Sequence, residues 1–398
     1  MIMKRVYITT IIAALLVLAV FSWACSFWDV TPGIETIKVG FIYDNDESTP
    51  YTHNFILAQR ALEKELGEKV RIYTRSNVPD VGALDASQEL VELGCRIIFT
   101  NNYSDEIVEA AKAFPQVQFC QSGYNAGSHE NNPDNYHTFN GTIYQGRYVT
   151  GVAAGMKLKD MIDNGVLTAD EALVGYVSAF PSVEIVSGYT AFLLGVRSVV
   201  PQAVMRVRYT GVWSSYSREK ATARALIEEG CVLIAQHTDT IGPAVACEEA
   251  AATHRVFHVG YNQNMIDVAP NTSLISTRVN WVPYVVAATH AVLEGREIEK
   301  SMPGSVHGND VCAGLDQGWV DVMELNRQIA AYGTEERVNR TIEALKKGTI
   351  EVFKGDYFGV SLSDPKDVID LSYGYKENET TSWPTFDYLL KDIITVEE

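Results

Sequence analysis

No Cys-x-x-Cys pair and no Lys/Arg-rich run occurs in this chain. The first absence removes the common thiol-redox and zinc-ribbon patterns. The second argues against nucleic acid, because neutralising phosphate supplies most of that affinity. The charge leans the other way: 32 Lys+Arg stand against 50 Asp+Glu, a net −18. An acidic surface also argues against electrostatic attachment to anionic lipid. No Gly-x-Ser-x-Gly, phosphate loop or dinucleotide fingerprint is present, so the commonest signatures of hydrolase and nucleotide chemistry are missing. What remains is a folded composition, 46% hydrophobic and 21% charged over 398 residues, long enough for two domains of ordinary size.

The N-terminus differs from the rest. Lys4 and Arg5 precede "VYITTIIAALLVLAVFSWA", an uncharged run that ends at Ala24, directly before Cys25. A basic start, an apolar run and small residues at its end describe an export signal over 1–24, followed by a tether over 25–35. Three readings stay open: lipoprotein cleavage with Cys25 acylated, ordinary signal-peptidase cleavage, and an uncleaved membrane anchor. The other cysteines are 95, 120, 231, 247 and 312. Cys95, Cys120 and Cys231 sit in or beside apolar runs and read as small buried residues. Five is an odd number, so they cannot all pair internally.

The body of the chain is written twice. "IKVGFIYD" is answered by "ALVGYVSAF", with Gly40 and Gly175 aligned. "LVELGCRIIFTNN" is answered by "LIEEGCVLIAQHTD", and "FCQSGYN" by "FHVGYN". Helical spacing over 54–66, 85–93, 186–200 and 217–229 lies between these runs. Each half reads strand–helix–strand–helix–strand. Such alternation means βαβ units and parallel sheets, hence two α/β lobes.

In a parallel sheet, ligands bind outside the carboxyl ends of the strands. Those ends carry Asp44, Asn101, Tyr124 and Asn125 in the first half, and Phe180, His237, Asp239, Tyr261 and Asn262 in the second. If the lobes face each other, both Gly-Tyr-Asn copies meet one cleft. Tyr offers a flat face and Asn offers a donor and an acceptor. A shared strand-to-loop turn is the alternative, since Gly and Asn suit turns. Trp213 and Trp281 are candidate stacking surfaces, with core packing as the alternative for each.

Several sharper readings fail on spacing. An EF-hand loop from Asp44 would want Gly at 49 and Glu at 55, where the chain has Thr49 and Phe55. His237 and Asp239 lack a third metal ligand or a nucleophile. No metal, no cofactor and no enzymatic activity are expected. "GVAAG" over 151–155 reads as small-residue helix packing rather than a phosphate cradle.

At the level of ordered segments, the chain resembles a known family. "KVGFIYD", "YTHNF", "GCRIIFTNN", "AKAFPQVQF", "YQGRYVTGVAAG", "VGYVSAFP", "EKATARALIEEGCVLIAQHTD", "HVGYNQNM" and "LISTRVNWVPYVV" follow the order of the basic membrane protein family. Those are substrate-binding lipoproteins of ABC transporters, some of which bind purine nucleosides. The likeness covers about 36 to 330 of the sequence. It implies the type I periplasmic-binding-protein fold: two Rossmann-like lobes with parallel sheets flanked by helices around a cleft, with a hinge near 141–150 and 262–275. It places lobe 1 at 36–143 with 263–300 returning to it, and lobe 2 at 144–262 with 301–398 packed on it. The branch it resembles most carries Tyr-x-His at Tyr51 and His53, followed here by Asn54. Nucleoside-binding members carry Asp-x-Ser-Phe-Asn in that region, and Asp where this chain has Tyr261-Asn262. A carboxylate for ribose hydroxyls is thereby missing. The resemblance implies a purine nucleobase or nucleoside ligand, an ABC permease partner, a lipid anchor on Cys25 facing the periplasm or cell exterior, and a monomer. A sensing module for a membrane signalling protein and a riboflavin-type binder are the alternatives.

Overall fold

The computed structural model describes residues 36–123 and 132–397. Expectations for the export segment 1–24, the tether 25–35, Cys25, Tyr124 and Asn125 fall outside the described residues.

The first lobe is built from β1 (Ile37–Ile42), α1 (Pro50–Leu66), β2 (Val70–Arg75), α2 (Ala83–Glu92), β3 (Ile97–Thr100), α3 (Glu106–Ala113), β4 (Gln118–Ser122) and β5 (Tyr136–Gly141). β1 pairs in parallel with β2 and β3, and the parallel ladder continues through β4 to β5. β3, Ile-Ile-Phe-Thr, is buried along its whole length. Helices cover both faces of such a sheet, so its strands read as unbroken apolar runs. In α1 the buried Phe55, Ala58, Leu62 and Leu66 lie three and four residues apart, the spacing of one helix face. Pro50 opens the helix, where a missing N–H costs nothing.

The chain crosses after Gly141 into α4 (Tyr144–Asp163), β6 (Leu173–Ser178), α5 (Val183–Arg197), β7 (Val204–Tyr209), α6 (Tyr216–Glu228), β8 (Leu233–His237), α7 (Gly242–Ala250), β9 (Phe257–Tyr261) and β10 (Ser273–Val279). β6 pairs in parallel with β7 and β8, β8 with β9, and β9 with β10. α4 and α5 pack at close range. A Cβ on Gly151 would overlap the carbonyl oxygen of Phe192, and one on Gly195 that of Tyr148. The glycines of "GVAAG" therefore let two helix backbones touch.

The expected lobe boundaries need correction. β10 lies in the segment expected to return to lobe 1, yet it pairs with β9 and extends the second sheet. The return comes at 280–281, where α8 (Val282–Leu293) packs on α1. β11 (Ser305–His307) and β12 (Asp310–Ala313), expected on lobe 2, join the first sheet, with β12 parallel to β5. A third crossing leads to β13 (Val320–Val322), antiparallel to β10. Each added strand covers an edge that would otherwise present unpaired backbone groups. Strand pattern in a sequence gives no sign of which edge a strand will cover.

The tail follows as α9 (Thr334–Lys346), a small antiparallel sheet of β14 (Phe358–Ser361), β15 (Val368–Asp370) and β16 (Tyr388–Leu390), and β17 (Ile394–Glu397). β17 pairs with β7 on the second lobe. The segment before β16 instead reaches the first lobe, where the Ser382 amide donates to Asp310 Oδ2 at 2.6 Å. The tail thus touches both lobes. All five described cysteines are buried and unpaired.

Candidate ligand-binding cleft

The carboxyl ends of both sheets face one cavity of about 130 Å³ between the lobes. The first lobe contributes Asp44, Asn45, Thr49, Tyr51 and Tyr103; the second contributes Glu184, Trp213, Ser214, His237, Asp239, Tyr261 and Asn262.

The first wall is set by the ends of β1 and β3. Asp44 follows β1 by two residues. Its backbone N–H donates to Asn101 Oδ1 at 3.0 Å, and its Oδ1 accepts from the Thr52 hydroxyl at 2.9 Å. The Asn101 amide donates in turn to Thr52 Oγ1 at 3.1 Å. Asn101 therefore holds Asp44 in place and does not itself line the cavity. Burial pushes the Asp44 carboxyl upward, against the opposing Thr52 hydrogen bond. The Tyr51 hydroxyl lies 3.0 Å from Ser122 Oγ and 3.4 Å from the Tyr103 hydroxyl.

The second wall is aromatic and polar. Trp213 packs edge-on to His237 at 6.2 Å, and His237 edge-on to Tyr261 at 4.6 Å. The Arg147 guanidinium, on α4, lies 3.8 Å from the Tyr261 ring centre and donates to the Gln236 carbonyl at 2.7 Å. This cation sits behind the wall, out of the cavity lining. His237 is fully buried and neither ring nitrogen has a hydrogen-bond partner. Its Nε2 is 3.9 Å from Glu184 Oε1. Burial, with Arg147 adding, holds the imidazole well below its ordinary range, so it stays neutral with one donor and one acceptor. A buried polar group without a partner costs about 1–3 kcal/mol, which a ligand in the cavity can recover.

Three carboxyls meet here. Burial pushes Asp239 up to about 8, opposed by the Asn262 hydrogen bond and reinforced by Glu219, Asp44 and Glu184. Burial pushes Glu184 up to about 7, opposed by Arg147. Asn262 adopts φ 63°, a backbone angle that Asn tolerates better than most residues. Its amide donates to Asp239 Oδ1 at 3.2 Å. Asn54 donates across the cleft to the Asn262 carbonyl at 3.0 Å, a bond that joins the two lobes.

The other candidate residues sit elsewhere. His53 points away from the cavity, 3.4 Å from Glu47. Trp281 is 2% exposed and stacks on Phe55 at 4.5 Å, beneath the edge of Tyr51. It belongs to the core. Phe180 flanks the mouth, edge-on to Trp213 at 5.9 Å. Missing from the expected set were Asn45, Thr49, Tyr103, Glu184 and Ser214. All but Glu184 lie within two residues of one already singled out. Glu184 stands in the first turn of α5, where no strand end announces it.

The ABC transporter substrate-binding protein PnrA-like model, Bmp, matches residues 35–353. The chain belongs to the Bmp family of ABC transporter substrate-binding proteins. A purine-binding protein of Brucella abortus is 32% identical over 268 residues, 66% of this chain and 70% of the relative. A putative ABC transporter glucose-binding protein of Haloferax volcanii is 26% identical over 330 residues, 81% and 76% of the two chains. A solute-binding protein of an ABC transporter system from Aeropyrum pernix K1 shares the fold, with TM-score 0.64 at 16% identity over 79% of this chain and 92% of that one. Bmp proteins are binding proteins rather than enzymes, and they serve importers from outside the cytoplasm. No helix among the described residues is long and apolar enough to cross a membrane.

Proposed function

We propose that this Bmp protein captures a purine nucleobase in the interlobe cavity and delivers it to an ABC permease. The observation that carries the reading is the lining: aromatic Tyr51, Tyr103, Trp213 and Tyr261 together with the polar groups of His237, Asp239 and Asn262. A flat heterocycle needs faces to stack on and a few hydrogen bonds at its edge. The lining holds three carboxyls and no Lys or Arg, which disfavours a phosphorylated ligand. The cavity of about 130 Å³ is small beside the roughly 300–1,000 Å³ of sites for drug-sized ligands. That favours the free base over its nucleoside and disfavours riboflavin. The Brucella relative, named as purine-binding, supports the class.

Calorimetry against adenine, guanine, hypoxanthine, their nucleosides, riboflavin and glucose tests it. At least one base is expected to bind with micromolar or tighter affinity. Binding of glucose alone, or silence across the set, overturns the reading. The anchor is a separate proposal, resting on the position of Cys25 directly after the apolar run. Cys25→Ser is expected to release the protein from membranes and to remove a diacylglyceryl mass. A wild-type mature chain that begins at Cys25 without lipid would sink that part.

A further inference from the structure

The family match ends at residue 353, yet the chain beyond it reaches the cleft. Trp383 packs edge-on to Tyr103, with ring centres 6.4 Å apart and planes at 73°. Its indole fills the space beside Gly123, where a Cβ would come within 2.7 Å of the ring. Tyr103 lines the cavity, and its hydroxyl meets that of Tyr51 at 3.4 Å. One face of the ligand site therefore leans on a residue of the tail.

The tail is fixed where it does this. The Ser382 amide donates to Asp310 Oδ2 at 2.6 Å, and Thr381 Oγ1 donates to the same oxygen at 3.2 Å. Asp310 Oδ1 accepts from Thr138 on β5 at 2.8 Å. On the other side, Glu377 accepts from the amides of Thr385 at 2.7 Å and Phe386 at 3.0 Å, and from Ser187 of the second lobe at 3.3 Å. Asn378 donates to the carbonyl of Ser382 at 2.8 Å. The loop that presents Trp383 is thus bonded to itself and to both lobes.

We infer that Trp383 is a positioning residue for the ligand cleft, holding the Tyr103 ring at the angle from which it meets a bound heterocycle. The inference rests on the interlobe cavity being the ligand site. A half-buried tyrosine in a cavity wall has fewer rotamers left to give up when a neighbouring ring packs against it. Rotamers that remain must be given up on binding, and a ring held in advance avoids that loss. An edge-to-face aromatic pair supplies enough interaction to do this, equivalent to about 3- to 10-fold in affinity.

A double-mutant cycle on the full-length protein tests it, using whichever purine base binds tightest in calorimetry. Trp383→Ala is expected to weaken binding by about 3- to 10-fold. Trp383→Phe, which keeps a ring edge against Tyr103, is expected to restore most of the loss. In a Tyr103→Ala background, Trp383→Ala is expected to change affinity by less than about twofold, because coupled residues are not additive. A tail that merely braces the fold would give additive effects, and that result overturns the inference. A ligand-free measurement separates this from the purine reading. Hydrogen exchange of the segment around Tyr103 is expected to accelerate in Trp383→Ala even if no purine binds. Unchanged exchange together with unchanged affinity also overturns it. Silence of the wild type toward every purine, with accelerated exchange in the variant, retires the ligand class and leaves the positioning role standing.

Discussion

Trp213→Ala is expected to weaken binding of the purine by about 30-fold or more, the roughly 2–4 kcal/mol of a buried aromatic anchor. Its stability cost is expected to be small. Trp213 is 38% exposed in the ligand-free protein and touches Phe180 and His237 only by ring edges. Its covering surface comes with the ligand, so the loss appears in binding. The melting temperature of the ligand-free variant is expected to stay within about 2 °C of wild type, as for other partly exposed positions. Tyr261→Ala makes the contrast. Tyr261 is 5% exposed and carries the Arg147 guanidinium 3.8 Å from its ring centre. Removing it opens a hole beside a buried cation, so affinity and melting temperature should fall together. Calorimetry and thermal melts on the two variants decide. Unchanged affinity in Trp213→Ala would place the stacking surface elsewhere.

Much of this site is visible in the sequence because parallel sheets obey a simple rule. An apolar run that stops at a polar residue marks a strand's carboxyl end, and Asp44, His237, Asp239, Tyr261 and Asn262 all stand at or just past such stops. The rule fails where rotation matters. His53 lies between Thr52 and Asn54, both buried. It sits about 100° around the helix from each, turned toward the surface pair of Glu47 and Arg60. No composition signal distinguishes it from Tyr51, which lines the cavity. Trp281 shows the same limit: an aromatic after a crossover stacks equally well on a ligand or on Phe55.

The glycines that open the two Gly-Tyr-Asn copies sit in different settings. Gly260 lies inside β9, where a Cβ would overlap Ser276 Oγ. Gly123 lies just past β4 at φ 65°, and the room it leaves is taken by Trp383. Matched glycines in the two halves therefore differ in place, one past its strand's end and one within its strand. Position in the closed cleft depends on strand length and crossing points, such as the return at 280–281, and neither is encoded in local pattern.

The charge state of Asp239 should couple ligand binding to pH. Its carboxyl is pushed up to about 8 and that of Glu184 to about 7, both mainly by burial. In the unfolded chain such groups titrate near about 4. The ligand-free folded protein therefore holds protons that the unfolded chain has released. Stability from these two groups is full below about pH 4 and is lost as pH rises through about 7 to 8. The ligand-free melting temperature is expected to fall between about pH 4 and about pH 8 and to level off above, and Asp239→Asn should flatten part of that slope. Binding should run the other way. A purine N–H donating to Asp239 favours its charged form, so the bound carboxyl titrates lower than the free one. Affinity is then expected to rise by about tenfold from about pH 6 to about pH 8 and to level off above. Asp239→Asn should remove this dependence and weaken binding by about 10- to 100-fold, the cost of a lost hydrogen bond to a charged group. An affinity that falls as pH rises would make Asp239 the donor, its carboxylic acid meeting a ring nitrogen. A pH profile that is flat in the wild type, or identical in the Asn variant, would remove Asp239 from the recognition set and leave His237 and Asn262 to read the edge of the ring.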